Sequence, residues 1–319
     1  TRRYFIPRTE TRFYRWPPRE TGSSVILWLY QDLLSVTTLQ IKAQDASPTT
    51  IASTDYFLEP NNPGSDGRTR YDRIEINLSS SAAFEGGDTP QRSISVLGSW
   101  GFDNETRAAG AISGAGLASS TTATSFACTD PTLIGVGDTL LIESEQVFVS
   151  GKASAAEPNA DLIDGALTKS MAEDVTVDDA SRYIVGERIL IDTEEMLIIS
   201  KNETTEVLGV IRAYNGTTLA AHSNNTAVHV FRTLTIERGV NGTTAATHAD
   251  TTAITAYEPP PEIKGLCVAE VLSAFAQEQG QWGRSVGQGE GQKEVAGGAL
   301  AKMRERVTDG YRRVREGAI

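Results

Sequence analysis

The chain repeats part of itself at two different spacings, and that restricts its topology more than any other feature. Val136-Gly-Asp-Thr-Leu-Leu-Ile-Glu-Ser-Glu145 aligns without a gap to Val185-Gly-Glu-Arg-Ile-Leu-Ile-Asp-Thr-Glu194. The same offset of 49 carries residues 126–130 onto 175–179. Downstream, Arg212-Ala-Tyr-Asn-Gly-Thr-Thr-Leu-Ala-Ala-His222 matches Arg238-Gly-Val-Asn-Gly-Thr-Thr-Ala-Ala-Thr-His248 at an offset of 26. A tandem duplication would give one offset for both pairs. The order is instead first half, first half, second half, second half. Its economical reading is an inner β module, 175–231, nested inside an outer one made of 126–151 and 232–258. Pairing of like halves with each other satisfies the same offsets. Asn215-Gly216 and Asn241-Gly242 are turn signals, because both residue types tolerate positive φ.

The repeats sit in a longer chain of mixed character. Val25-Ile-Leu-Trp-Leu-Tyr30, residues 36–41, 74–78 and 93–96 are short apolar or alternating runs that predict strands. Between them Pro60-Asn-Asn-Pro-Gly64 and Glu85-Gly-Gly-Asp88 predict turns. Residues 109–125 are dominated by Ala, Gly, Ser and Thr and read as a linker. Residues 152–174 read as a connecting segment between the modules. Pro259-Pro-Pro261 opens a helix with Ile263, Leu266, Cys267, Val271, Leu272 and Phe275 on one face. A glycine-rich loop, 280–291, separates it from a second helix striped by Leu300, Met303, Val307, Tyr311 and Val314. The expected class is α+β: a small β-rich and helical base domain, 1–108 plus 259–319, carrying a large all-β insert of two nested modules.

Charge follows the same division. Of 319 residues 29 are Lys or Arg and 41 Asp or Glu, a formal net charge of −12. Residues 126–258 hold 20 acidic and 8 basic residues, a balance of −12, and the remainder holds 21 of each. An acidic insert disfavours phosphate backbones and anionic membranes, while the neutral base with Arg-rich ends is not so restricted. No apolar run is long enough to span a bilayer.

Little in the sequence carries catalytic chemistry. Two cysteines, Cys128 and Cys267, make no disulfide framework or metal spacing, and both read as small buried hydrophobes. His222 and His248 recur with the repeated Asn-Gly-Thr-Thr and read as equivalent structural positions in a repeated hairpin. Glu145 and Glu194 recur inside apolar strands; one carboxylate per module is no glycosidase dyad, so hydrogen bonding to a turn is the expectation. Gly283-Arg-Ser-Val-Gly287 has the form of a nucleophile elbow, but a helix precedes Ser285 and no histidine follows it. The reading is of a non-enzyme without catalytic residues, metal or cofactor.

The ordered segments Glu10-Thr-Arg-Phe-Tyr-Arg-Trp16, Leu33-Leu-Ser-Val-Thr-Thr-Leu39, Asp55-Tyr-Phe-Leu-Glu-Pro60, Ile94-Ser-Val-Leu-Gly-Ser-Trp-Gly-Phe102 and Pro260-Pro-Glu-Ile-Lys-Gly-Leu-Cys-Val-Ala-Glu270, with the Arg-rich last helix, resemble head-to-tail adaptor proteins of long-tailed double-stranded-DNA phages, especially those of actinobacterial hosts. The resemblance covers nearly the whole chain, although the family's N-terminal helix is not evident. It implies a structural virion protein, assembled in the host cytoplasm. The protein would form a ring, expected to be dodecameric, at the virion neck. Its partners would be the portal protein, a stopper or tail-terminator protein, further copies of itself, and double-stranded DNA passing through without sequence recognition, with no membrane. On this reading Arg306, Arg312, Arg313 and Arg315 dock on the portal. The competing expectation is a tail or head-decoration protein whose β modules bind a neighbouring protein or a host glycan.

Overall fold

Side chains along Ile26–Ile41 alternate between core and surface, the pattern of a strand buried on one face. This computed structural model describes residues 3–17, 25–62, 64, 66–118, 120–153, 155–172, 174–279, 285–286, 293–294 and 297–312. Among the described residues the chain is mixed and mostly β, with two α-helices and one closed six-stranded barrel. It divides into two units, 1–105 with 258–319, and 106–257.

The first unit contains strands β1 (Arg8–Tyr14), β2 (Ile26–Ile41), β3 (Thr49–Ile51), β4 (Tyr56–Glu59), β5 (Tyr71–Ile76) and β6 (Ile94–Trp100). They form one sheet in the order β1-β6-β2-β5-β4, with β3 beside β2. The two predicted runs 25–30 and 36–41 are one long strand, bent by register shifts after Trp28 and after Leu33. Leu27, Leu29, Leu33, Leu39, Ile74, Ile94, Val96 and Trp100 make its core. Helices α1 (Pro261–Gln279) and α2 (Gly297–Tyr311) complete the unit. Val307 of α2 is buried, and Tyr311 lies 5.5 Å from Phe5 and 5.2 Å from Phe102, centroid to centroid. Tyr311 Oη donates to Glu262 at 2.7 Å, and Arg304 pairs with Glu270, so α2 lies along one side of α1. The predicted apolar stripe of α1 is not a core: Val271, Leu272 and Phe275 are exposed, as is Cys267. The periodicity was that of an amphipathic helix, but α2 covers the other side. Most of the glycine-rich segment 280–291 lies outside the described residues; Ser285–Val286 pairs with Lys293–Glu294.

The second unit runs β7 (Thr106–Ser113), β8 (Ser125–Cys128), β9 (Thr139–Ile142), β10 (Glu145–Lys152), β11 (Glu157–Leu162), β12 (Val175–Thr176), β13 (Arg188–Ile191), β14 (Glu194–Asn202), β15 (Val207–Ile211), β16 (Ala227–Val230), β17 (Thr233–Glu237) and β18 (Ala253–Tyr257). The barrel closes in the order β10-β17-β8-β7-β18-β9. The other six strands form a sheet ordered β11-β16-β13-β14-β15-β12. Started from its first strand, the barrel reads β7-β18-β9-β10-β17-β8, which is the same order by position in the chain. The sheet's ends meet at a single bridge, Ile163 to Val177, where the barrel pairs Ile112 with Cys128.

Three sequence expectations need correction here. Residues 109–125 are not simply a linker, because Thr106–Ser113 is a barrel strand with Ala109 and Ile112 fully buried. Small residues suit the barrel interior as well as they suit a flexible connection, and Gly110 takes φ +82° beside a register shift. Residues 152–174 likewise contain a strand, Glu157–Leu162, paired with β16. The Asn-Gly turns do not close hairpins: β15 and β16 are not neighbours, nor are β17 and β18. Each turn starts a crossing that carries the chain to a strand elsewhere in its own sheet.

Candidate functional site

The side chains of most chemical interest are two buried charge clusters at equivalent places. In the barrel, β9 turns into β10 through Glu143, at φ +53°, and Glu145 opens the next strand. The Glu145 carboxylate receives Arg238 Nε and Nη2, both at 2.7 Å. The backbone N–H groups of Gly239 and Ala246 donate to it at 3.0 and 2.9 Å, and His248 Nε2 lies 2.9 Å away. His248 Nδ1 is 2.8 Å from Glu143, and the guanidinium also donates to the carbonyls of Ala118 and Ala246.

The other sheet repeats this arrangement bond for bond. Arg212 Nε and Nη2 donate to Glu194 at 2.8 Å, Ala213 and Ala220 N–H at 2.9 and 3.0 Å, and His222 Nε2 lies at 2.9 Å. His222 Nδ1 meets Asp192, at 2.7 Å, in the place of Glu143. Backbone bonds hold each crossing as well: Leu117 and His248 exchange two at 2.8 Å, and Leu167 and His222 two at 2.9 Å. Asn241 Nδ2 donates to Gln146 and Asn215 Nδ2 to Glu195, while Gly242 and Gly216 at φ +81° and +77° complete the turns.

These groups fasten strands, and the glutamates at their centres are fully buried. Burial alone would raise the Glu145 carboxyl, but Arg238, the N–H of Ala246, His248 and the N–H of Gly239 outweigh it and pull it down to about 2. Glu194 is pulled to about 2 by Arg212, Ala220, His222 and Ala213 against the same burial. Neither carboxylate oxygen is exposed or spare, so neither serves as base or nucleophile. Among the described residues no three His, Cys, Asp or Glu side chains are grouped to hold a metal ion. Burial also raises the Cys128 thiol to about 11, which suits a packed thiol rather than a reactive one.

Sequence reasoning paired the histidines and glutamates by repeat but missed Arg212 and Arg238, which make the strongest bonds in each cluster. The signal was there: each is the first residue of its repeated segment, at the same offset of 26 as the histidines.

The basic C-terminal residues lie in the first unit. Arg306 is exposed on α2 and Arg312 is exposed just beyond its end; Arg313 and Arg315 lie outside the described residues. No helix among the described residues is long and apolar enough to cross a membrane. No protein-family model, curated protein or solved structure matches this chain.

Proposed function

We propose that this chain is a structural virion protein, an adaptor subunit that assembles as a ring at the neck of a long-tailed double-stranded-DNA phage, between portal and tail. The observation that carries the reading is the α1–α2 pair. It presents Arg306 to solvent on α2, Arg312 just beyond the end of that helix, and an uncovered apolar side on α1. A lone copy gains nothing from that surface, whereas an assembly subunit needs one. The ordered segments that resemble adaptor proteins support the same reading. So do the saturated carboxylates, which serve as fasteners and not as catalytic groups.

We further infer that 106–257 is a β module inserted into a copy of itself. The repeated strand order, the two repeat offsets and the bond-for-bond clusters support this. The acidic balance of this region disfavours DNA phosphates, so in the proposed ring these modules do not line the DNA channel.

Mixing the chain with the portal protein encoded beside it tests the reading. An Arg306→Glu/Arg312→Glu variant should lose binding at least tenfold in a pull-down titration. Undiminished binding overturns the docking role. Electron microscopy of virions should find copies confined to one vertex; hundreds of copies over the head would support a decoration protein instead.

A further inference from the structure

The first unit carries two uncovered apolar patches of different shape. On α1, Val268, Val271, Leu272 and Phe275 are 52, 67, 62 and 58 % exposed. Their spacing places them on one face. Glu262, Gly265 and Glu270 lie toward α2, where a Cβ on Gly265 would sit 3.3 Å from Met303 Cε. The uncovered face is therefore the side away from α2.

The second patch lies on the sheet. Register fixes it: Phe57, Glu75 and Ile26 form one cross-strand row, and Glu59, Arg73 and Trp28 the next. Ile74 and Leu27, between those rows, are buried, so both rows face outward. Tyr30 continues the row of Trp28 and stacks on Tyr14 at 5.6 Å. Trp28, Tyr30 and Phe57 are 43, 61 and 54 % exposed. Arg73 lies 5.3 Å from the Trp28 ring and pairs with Glu75 at 2.7 Å.

We infer that these are the two halves of one contact between identical copies, the α1 face of one subunit seated on the β4-β5-β2 face of the next. The inference rests on the ring reading above and names the surfaces that close the ring. A head-to-tail contact requires two unlike patches on every subunit, and both are present on the first unit. The shapes are complementary, a convex helix against a broad sheet. Trp28, Tyr30 and Phe57 are about half exposed, so of the about 150–250 Å² that each ring can bury roughly 100 Å² apiece remains to be covered, a core that supplies over a third of the ~800 Å² that a standard interface takes from each partner. Charge does not oppose the contact: Lys264 and Glu278 bracket the helix patch, and Glu59, Glu75 and Arg73 lie within the sheet patch.

The test uses the full chain and two surface variants, Leu272→Glu/Phe275→Glu on the helix and Trp28→Glu/Phe57→Glu on the sheet. Circular dichroism melts establish that each is folded. Mass photometry should find closed rings for the natural sequence, monomers for each variant alone, and one-to-one dimers when the variants are mixed, since each then retains the half the other lacks. Dimers absent from the mixture, a variant that still forms rings, or a natural chain that stays monomeric overturns the inference. Rings formed through other surfaces leave the adaptor reading standing. Rings formed through these patches that fail to bind the portal protein overturn that reading and leave this contact.

Discussion

The barrel and the β11–β16 sheet share strand order, turn geometry and buried charge cluster, yet they are assembled from the chain in different ways. In the sheet every cluster partner lies within 18–28 residues of Glu194. In the barrel Arg238 and His248 are 93 and 103 residues from Glu145, because the whole sheet intervenes. The same five bonds therefore close a short loop in one case and a long one in the other. Closing a longer loop costs more chain entropy, but only logarithmically so, and an identical fastener suffices for both.

A second difference lies next to the first. Asp138 and Glu187 are equivalent by the offset of 49, and each accepts an N–H three residues before it, from Gly135 or Ile184, at 2.8 Å. Asp138 is paired at 2.9 Å with Arg107, from the barrel's own first strand. At the matching place the sheet has Glu157, and its guanidinium comes from Arg232 instead, at 2.8 Å from Glu187. Arg232 adjoins β17 of the barrel, and its N–H also donates to Glu157. The sheet thus borrows a cation from the barrel, whereas the barrel supplies its own.

The largest effect expected from breaking this parallel comes from the arginines of the clusters. Arg238→Met or Arg212→Met leaves a buried carboxylate without its cation and should cost about 3–5 kcal/mol. Hydrogen exchange should then localise the loss to the barrel for Arg238 and to the sheet for Arg212. Equal loss in both regions from either variant would mean the two fold as one cooperative unit.

Acid should act on both clusters together. Each glutamate sits near 2 in the folded chain against an ordinary value of 4.5. The stabilisation is therefore complete above about pH 4.5 and is lost as pH falls from there toward 2. Denaturant midpoints measured across that window should fall steeply, and less steeply in Glu145→Gln or Glu194→Gln.

The borrowed cation gives an intermediate effect. Arg232→Ala should cost roughly 1–3 kcal/mol by leaving the Glu187 carboxylate without its charged donor. A segment spanning 155–232 should be more stable than one spanning 155–231 by a similar amount, read by urea unfolding. If the two melt alike, the pairing is ornamental.

The smallest effect concerns one residue pair in the two turns. Ala213 and Gly239 are equivalent, at φ +51° and +59°. An alanine there is strained, and a Cβ at position 239 would approach the Thr243 carbonyl oxygen to 3.1 Å. Ala213→Gly should gain a few tenths of a kcal/mol and Gly239→Ala lose about 1 kcal/mol in thermal melts.

Strands β2, β5 and β6 of the first unit were legible because alternation of apolar side chains is a local signal, as at 74–76 and 94–96, whereas β1, β3 and β4 were not read from the sequence. Of the clusters, the repeat revealed which glutamates and histidines are equivalent. It did not reveal what they touch, since 93 residues, the whole second sheet among them, separate Arg238 from Glu145. Ala- and Gly-rich 109–113 was misread because small residues carry no periodic signature. Packing inside a closed barrel, and not composition, makes it a strand.

The sequence by itself determined that 126–258 carries two repeated segments at two different offsets, and that all the excess negative charge lies there. It also determined two amphipathic helices near the C-terminus. Only the tertiary structure decided the strand order, because non-neighbouring strands are joined by crossings that obey no local turn rule. It alone decided that the Asn-Gly turns are pinned by buried ion pairs, since those pairs form between residues up to 93 positions apart. It also decided that the apolar face of α1 is left uncovered. A helix's periodicity tells which side is apolar; what covers that side depends on every other element of the fold.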